Sequence, residues 1–218
     1  MDHYNASVDE ITLILASQSA RRVRLLEVAG YQFKQVVSPY VEPPLPKVDD
    51  PDALGIALAQ AKAAALLGNH GFDEHAAVVL AADTIVVGPD GRLMGKPADR
   101  EEAEAMLAGL AGGDHLVVTA VALTSGDGDR QESFADTARV SIGNLGSEEL
   151  DSHLESGHWR GKAGGYHLGD VEQQWSMSVE GDPTTVIGLP MRRLEPVLQR
   201  WSVHAIRSGV RPSCVTGA

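Results

Sequence analysis

The chain alternates short apolar runs with patterns typical of one-sided helices. Residues 11–30 show this first, because their opening apolar run is long enough for one core strand and too short for a membrane span. A polar Ser-Gln-Ser sequence interrupts the run. From Val23 the apolar residues recur on one side of a predicted helix that starts near Ser19, and Gly30 is a typical C-terminal cap.

The same criteria predict the remaining elements and an α/β fold. The predicted strands are residues 33–37, 76–87, 92–94, 116–123 and 133–142, and the predicted helices are residues 50–68, 99–110, 147–156 and 190–201. The predicted caps are Asp50, Asp99 and Ser147, Pro190 begins the last helix, and the buried side of the helix after Asp50 comprises Leu54, Leu58, Ala61 and Ala65.

Length, charge and cysteine content exclude several classes of protein. The 218 residues suffice for one large α/β domain or two lobes. The net charge of −12 argues against non-specific nucleic-acid binding, so an anionic ligand needs a local cluster of Lys and Arg or an accompanying cation. Because Cys214 is the single cysteine and the acidic amino terminus has no apolar signal or membrane segment, we expect a cytoplasmic protein. The histidine spacings argue against a zinc site.

Two arginines occupy positions that a helix dipole disfavours. Arg21 and Arg22 fall in the first turn of the helix that starts near Ser19, where each cation costs about 0.3–1 kcal/mol unless an anion lies opposite. The N–H groups of that turn, the hydroxyls of Ser17 and Ser19 and both guanidinium groups would together suit a phosphate. Alternatively, both arginines point into water or pair with surface carboxylates, and this segment alone supports the two interpretations equally.

Three further charged residues, and one histidine, invite a functional interpretation. Asp83 is the single charge in the apolar run 76–87, so it must lie at a strand end, be paired or hold a metal ion. Lys62 flanks the buried side of its helix, from which a lysine commonly extends to water. Lys96 lies between a predicted hairpin and a helix start, but its Gly-Lys sequence lacks the rest of a P-loop. For His115, at a strand start, we favour a structural role.

Several separated motifs resemble, in order, those of the Maf nucleotide pyrophosphatases. They are Leu15-Ala16-Ser17-Gln18-Ser19-Ala20-Arg21-Arg22, Lys62-Ala63, Ala82-Asp83-Thr84, Gly95-Lys96-Pro97, the Gly-x-x-His-x-Val-x-Thr pattern ending at Thr119, the Lys-Ala-Gly-x-Tyr pattern starting at Lys162, and residues 179–190. The chain departs from the family at Ala20, which replaces a proline, and at Val41, which replaces an aspartate before Glu42. Gly169 stands where the family's dTTP and UTP branch has a glutamine associated with base choice, so base specificity cannot be transferred.

The resemblance covers residues 11–201 and implies both a fold and a reaction. The fold is a twisted mixed central sheet with flanking helices and two lobes around a cleft, in one domain of residues 1–201, and residues 202–218 are expected to form a flexible tail. The reaction is hydrolysis of a nucleoside triphosphate between its α and β phosphates, with dTTP, UTP or modified nucleotides as candidates. Alternatives are a nucleotide-binding regulator of cell division and a nucleotidyltransferase. Whether the chain forms a homodimer stays open.

The resemblance also implies roles for individual residues. Asp83 is expected to act as the proton acceptor, Lys96 as a second catalytic residue, and Glu42 together with Asp83 as ligands of Mg²⁺ or Mn²⁺. The expected substrate contacts are Ser17, Ser19, Arg21, Arg22, Lys62, Thr84 and Lys162.

Overall fold

The computed structural model describes residues 11–43, 50–68 and 76–206. Residues 207–218 of the predicted tail, with Cys214, lie outside the described residues, as do the amino-terminal residues 1–10. Within the described ranges, no helix combines the length and the apolar composition that crossing a bilayer requires.

Strands and helices alternate along the chain, as the hydrophobic pattern predicts. In the described part they are β1 (Thr12–Leu15), α1 (Ala20–Val28), β2 (Lys34–Gln35), α2 (Pro51–Leu67), β3 (Ala77–Val87), β4 (Leu93–Met94), α3 (Arg100–Leu110), β5 (Gly113–Ser125), β6 (Gln131–Ile142), α4 (Ser147–Ser156), α5 (Leu168–Val171), β7 (Met177–Glu180), α6 (Pro183–Ile187) and α7 (Met191–Arg200), with a 3₁₀ turn at Ala163–Gly165.

The strands form one mixed sheet, which confirms the predicted fold class. Their order is β2-β1-β3-β5-β6-β7, and β4 pairs with the end of β3. β1 is parallel to β2 and β3, whereas the other pairs are antiparallel. β1 ends at Leu15, which lies opposite Leu80 of β3, and the pairing of β3 with β4 begins only at Val86. Between Leu80 and Val86, no described strand covers this edge of β3.

Two apolar clusters lie on one face of the sheet, at opposite ends of its long strands. The first packs α1 and α7 against β1 and the start of β3, around Leu26, Leu80 and Leu194. The second packs α3 and α4 against the end of β3 and the start of β5, around Leu107 and Val117. Helix α2 covers the opposite face. The prediction of two lobes stays a prediction.

The buried side of α2 differs from the predicted one. Leu58 is buried, but Leu54, Ala61 and Ala65 are only partly buried, and the other buried residues are Gly55, Ala59, Ala63 and Leu66. The reason is close packing on β5, since a Cβ atom at Gly55 would lie 3.0 Å from the Cβ of Ala120. Small side chains therefore determine which side of this helix faces the sheet.

Two predicted caps are correct and two helix starts are shifted. Asp50 accepts a hydrogen bond from the Ala53 N–H and Asp99 from the Glu102 N–H, each at 2.9 Å. The prediction for Ser147 was wrong, because Gly146 is the N-cap and its N–H donates to Glu149. Pro190 is likewise the N-cap of α7 rather than its first residue.

Candidate active site

A cleft of about 880 Å³ opens where β1 ends and β3 continues. Its size suits a ligand as large as a nucleotide. All of the predicted site residues line it, namely Ser17, Ser19, Arg21, Arg22, Glu42, Lys62, Asp83, Thr84, Lys96 and Lys162. The arginine pair and the strand aspartate therefore share one cavity.

The turn between β1 and α1 forms one wall of the cleft. Ser19 is the N-cap of α1, as predicted, but among the described residues its side chain makes no capping hydrogen bond. The buried hydroxyl of Ser17 accepts a hydrogen bond from the Ser19 N–H at 3.2 Å. The first turn of α1 contains no acidic residue, so its positive dipole end is available to an anion.

Arg22 covers the edge of β3 that β1 leaves open. Its Nη1 donates to the carbonyl of Ala82 at 2.8 Å and to Ser17 Oγ at 3.3 Å, its Nη2 to Thr84 Oγ1 at 3.1 Å, and its Nε to the carbonyl of Gly188 at 2.9 Å. Four of the five guanidinium N–H groups are thus used within the protein, which leaves one for a ligand. Burial lowers the Arg22 pKa to about 10, so the group stays protonated at neutral pH.

Arg21 lines the cleft without such anchoring. Its Nε atom is buried and has no hydrogen-bond partner in the described part of the chain. Burial lowers the pKa of Arg21, and the nearby carboxylate of Asp170 raises it. The predicted phosphate contacts of both arginines stay predictions, and Arg21 has the larger number of N–H groups to offer.

Lys62 connects the two carboxylates that were predicted to hold a metal ion. Its Nζ donates to Glu42 Oε1 at 2.7 Å and forms a short ion pair with Asp83 Oδ1. Lys96 Nζ donates to the other oxygen of Glu42 at 2.8 Å. Although burial raises the pKa of Glu42, its hydrogen bonds to both lysines outweigh this effect and lower the pKa to about 2.

The two carboxylates fit a hard divalent cation. They already face one positive centre, the Lys62 ammonium, and Mg²⁺ in nucleotide sites is commonly held by one or two carboxylates together with substrate phosphates. Among residues 11–43, 50–68 and 76–206, no group of three or more His, Cys, Asp and Glu side chains could hold a metal ion by itself. A cation here would therefore share its coordination with phosphate oxygens or water.

The opposite wall comes from the 3₁₀ turn and α5. Lys162 Nζ forms a short ion pair with Asp170 Oδ2, and His167 Nδ1 lies 3.6 Å from the other oxygen of that carboxylate. Burial lowers the pKa of His167 to about 4, so its ring is neutral at pH 7. Asp170 is not among the predicted site residues, although its spacing from His167 places both at the start of one helical turn.

His115 lies behind this wall. It is 2% exposed, and its Nε2 atom lies 2.7 Å from the hydroxyl of Tyr166. Burial lowers the pKa of His115 to about 4 and raises that of Tyr166. The pair is therefore uncharged at neutral pH and anchors the segment that follows Lys162.

Comparison with known proteins identifies the family. The Maf-like protein family matches residues 12–201, and the chain belongs to it. The dTTP/UTP pyrophosphatase of Shouchella clausii (strain KSM-K16) is 37% identical over 193 residues, which cover 88% of this chain and 97% of that protein. The dTTP/UTP pyrophosphatase of Salinibacter ruber (strain DSM 13855 / M31) is 39% identical over 188 residues, or 86% of this chain and 89% of that protein. A solved HAM1 protein from Coxiella burnetii covers 87% of this chain and 99% of its own, with 15% identity and a TM-score of 0.49.

Proposed function

We propose that this chain is a nucleoside triphosphate pyrophosphatase. It would hydrolyse the bond between the α and β phosphates and release a nucleoside monophosphate and pyrophosphate. The observation that carries this proposal is the meeting of six basic side chains with the buried carboxylate of Asp83 in one nucleotide-sized cleft. The names of the two relatives make dTTP and UTP the first substrates to assay.

The triphosphate would bind among the basic residues. Arg21, Lys96 and the remaining N–H of Arg22 line the same cavity as the start of α1, and each can donate a charge-assisted hydrogen bond to phosphate oxygen. All three lysines of the cleft are ion-paired with carboxylates, but the side chains of Lys62 and Lys162 are only 12% and 18% exposed, whereas that of Lys96 is 52% exposed. We therefore assign the main phosphate contacts to Arg21 and Lys96.

Asp83 would supply the general base. It accepts a proton from the attacking water, whose oxygen forms a bond to the α phosphorus as the bond from that phosphorus to the bridging oxygen breaks. Lys96 stabilises the negative charge that builds up on the leaving pyrophosphate. A divalent cation such as Mg²⁺ or Mn²⁺, held by Glu42 and Asp83, would supply charge neutralisation of the phosphates.

Measurement of pyrophosphate release tests this assignment. We expect Asp83→Asn to reduce turnover of dTTP or UTP by about 10² to 10⁴ while binding of the nucleotide, measured by calorimetry, persists. Asp129→Asn, in an exposed turn, is the matched control. Normal turnover by Asp83→Asn would contradict the assignment.

The wild-type protein distinguishes the alternative functions. A wild-type protein that binds nucleotides without releasing pyrophosphate would support a regulator, and a requirement for a second substrate would support a nucleotidyltransferase.

We also propose a cellular location and a two-lobed organisation for the protein. The single cysteine, which permits no disulfide bond within the chain, supports a cytoplasmic location. The two apolar clusters on either side of the cleft residues support two lobes within residues 1–201. Light scattering at several protein concentrations would determine whether the chain forms a homodimer.

A further inference from the structure

A row of polar side chains crosses the sheet between the two apolar clusters. Thr84 of β3 and Asp136 of β6 lie on either side of Thr119 of β5 in the strand register. On β3, Ala82 belongs to the first cluster and Val86 to the second, so the row separates them on one face. Thr119 is completely buried. A hydroxyl in such surroundings is costly unless all of its hydrogen-bonding groups have partners.

The direction of the hydrogen bonds follows from the number of available hydrogens. Thr119 Oγ1 donates its single hydrogen to the carbonyl of Thr185 at 2.7 Å. The 3.0 Å contact between Thr84 Oγ1 and Thr119 Oγ1 must therefore use the hydrogen of Thr84. Thr84 in turn accepts a hydrogen from Arg22 Nη2 at 3.1 Å. The chain thus runs from Arg22 through Thr84 and Thr119 to Thr185.

Both ends of this chain meet on α6. Thr185 lies within that helix, and Gly188 at its C-terminal cap accepts a hydrogen bond from Arg22 Nε at 2.9 Å. Arg22 is consequently fixed both directly and through the threonines. The same guanidinium holds the carbonyl of Ala82, the residue before Asp83, at 2.8 Å. The orientation of the threonine hydroxyls therefore affects the position of Arg22, and through Arg22 the position of the strand edge that carries the proposed general base.

We propose that Thr119 is a positioning residue for hydrolysis, an inference that rests on the proposed function. It orients Thr84, Thr84 orients Arg22, and Arg22 holds the backbone next to Asp83. Because the only hydrogen of Thr84 is committed to Thr119, Thr84 cannot donate it to a phosphate. Thr84 is then a link in the chain rather than the substrate contact that the family resemblance implied.

Three substitutions in β5 test this role. Thr119→Val keeps the side-chain shape and removes the hydroxyl, Thr119→Ser keeps the hydroxyl, and Thr124→Val makes the same change at a buried threonine of that strand outside the row. We expect Thr119→Val to lower kcat by about 10-fold to 100-fold with KM changed by less than about twofold. Thr119→Ser should restore kcat, and Thr124→Val should retain it.

A double-variant cycle provides the readout that a merely structural role would not change. If Thr84 and Thr119 act through one chain, the double variant Thr84→Val/Thr119→Val should lower kcat no further than the stronger single variant. Equal kcat in Thr119→Val and Thr124→Val, or additive losses in the double variant, would overturn the inference. An inactive wild type would instead overturn the proposed function, so the two failures are distinguishable.

Discussion

The ammonium group of Lys62 occupies the point that a metal ion would compete for. Asp83 is nearly buried, with a side chain 10% exposed, so its charge needs a partner. Lys62 provides that partner and at the same time pairs with Glu42. A divalent cation that binds both carboxylates must therefore compete with this lysine for the same oxygens. The concentration of cation needed for activity should then be sensitive to each carboxylate.

Replacement of Glu42 by glutamine tests this competition. Glu42→Gln removes one negative ligand but keeps the side-chain length, and we expect the Mg²⁺ concentration for half-maximal pyrophosphate release to rise by at least about tenfold. The measurement is a Mg²⁺ titration at saturating nucleotide. Glu180→Gln, at a highly exposed position on β7, should show the wild-type titration. An unchanged Mg²⁺ requirement in Glu42→Gln would remove Glu42 from the metal site.

The buried His115 should make the free energy of unfolding depend on pH. Its pKa in the folded state is lowered to about 4 from 6.5, chiefly by burial. The unfolded state therefore binds more protons between these two values, and stability falls as the pH decreases through this range. Between about pH 7.5 and about pH 5 the loss due to His115 should be about 2 kcal/mol.

Urea denaturation at those two pH values checks this expectation. His115→Gln keeps a hydrogen-bonding group beside Tyr166 without a titratable ring, and its loss of stability should be correspondingly smaller. A residual pH dependence is expected from His167, whose pKa burial also lowers to about 4. The same loss in wild type and His115→Gln would show that His115 is accessible to protons in the folded state.

At the scale of elements, the junction between α6 and α7 determines where Arg22 can lie. Gly188 has a φ angle of +127°, a conformation that other residues rarely adopt. A Cβ atom there would lie 3.4 Å from Arg22 Nε and 3.6 Å from Thr84 Oγ1. Both distances are ordinary van der Waals contacts, so the glycine is needed for the backbone conformation that directs the Gly188 carbonyl towards the guanidinium.

Gly188→Ala should consequently affect both stability and activity. We expect it to destabilise the protein by about 1–3 kcal/mol, because alanine is strained at this φ angle, and to lower kcat, because a backbone change that relieves the strain moves the Gly188 carbonyl away from Arg22. The control is Gly109→Ala in α3, where a Cβ meets no atom within 4 Å and should stabilise the helix by about 0.5 kcal/mol. Denaturant titration and pyrophosphate release measure the two effects. If the Gly188→Ala variant is destabilised but keeps the wild-type kcat, the junction between α6 and α7 does not influence catalysis.

The elements themselves follow closely from local sequence, whereas their packing does not. The aspartate caps of α2 and α3 are local interactions, and the sequence predicts both correctly. The buried side of α2 depends on the close approach of Gly55 to β5, which periodicity cannot reveal. A contact between residues distant in sequence can overrule the preference of the larger apolar side chains.

In the cleft, too, the sequence predicts which residues take part but not how they contact one another. The predicted site residues, all of which line the cleft, follow from the placement of two arginines at a helix dipole, a charge in an apolar strand and the family motifs. The hydrogen bonds of Arg22 could not be anticipated, because they require the register that sets Thr84 beside Thr119 and the position of Gly188. The ion pair of Lys162 with Asp170 could not be predicted either, because it depends on the conformation of the turn between the two residues rather than on their spacing in the sequence.

At the scale of the whole molecule, the charge of the cleft is opposite to that of the chain. The chain carries a net charge of −12. In the cleft, six basic side chains (Arg21, Arg22, Lys62, Lys96, Arg160 and Lys162) face three carboxylates (Glu42, Asp83 and Asp170). A compact polyanion that fits the cavity can use this local excess of positive charge. A long polyanion outside the cavity instead meets the negative field of the remaining surface.

Binding measurements on the Asp83→Asn variant, which should turn over little nucleotide, can distinguish binding of a compact polyanion in the cleft from binding of a long polyanion outside it. Dissolved dTTP or UTP at 100 times its dissociation constant should raise the free energy of unfolding by about 2.7 kcal/mol, whereas double-stranded DNA at physiological salt should leave it unchanged. Replacing Lys96 with alanine in the same background should weaken nucleotide binding, because it removes a half-exposed cation from the cleft. Stabilisation by DNA would mean that the positive charge extends beyond the cleft, and equal nucleotide affinity without Lys96 would assign the phosphates to the other basic residues of the cleft.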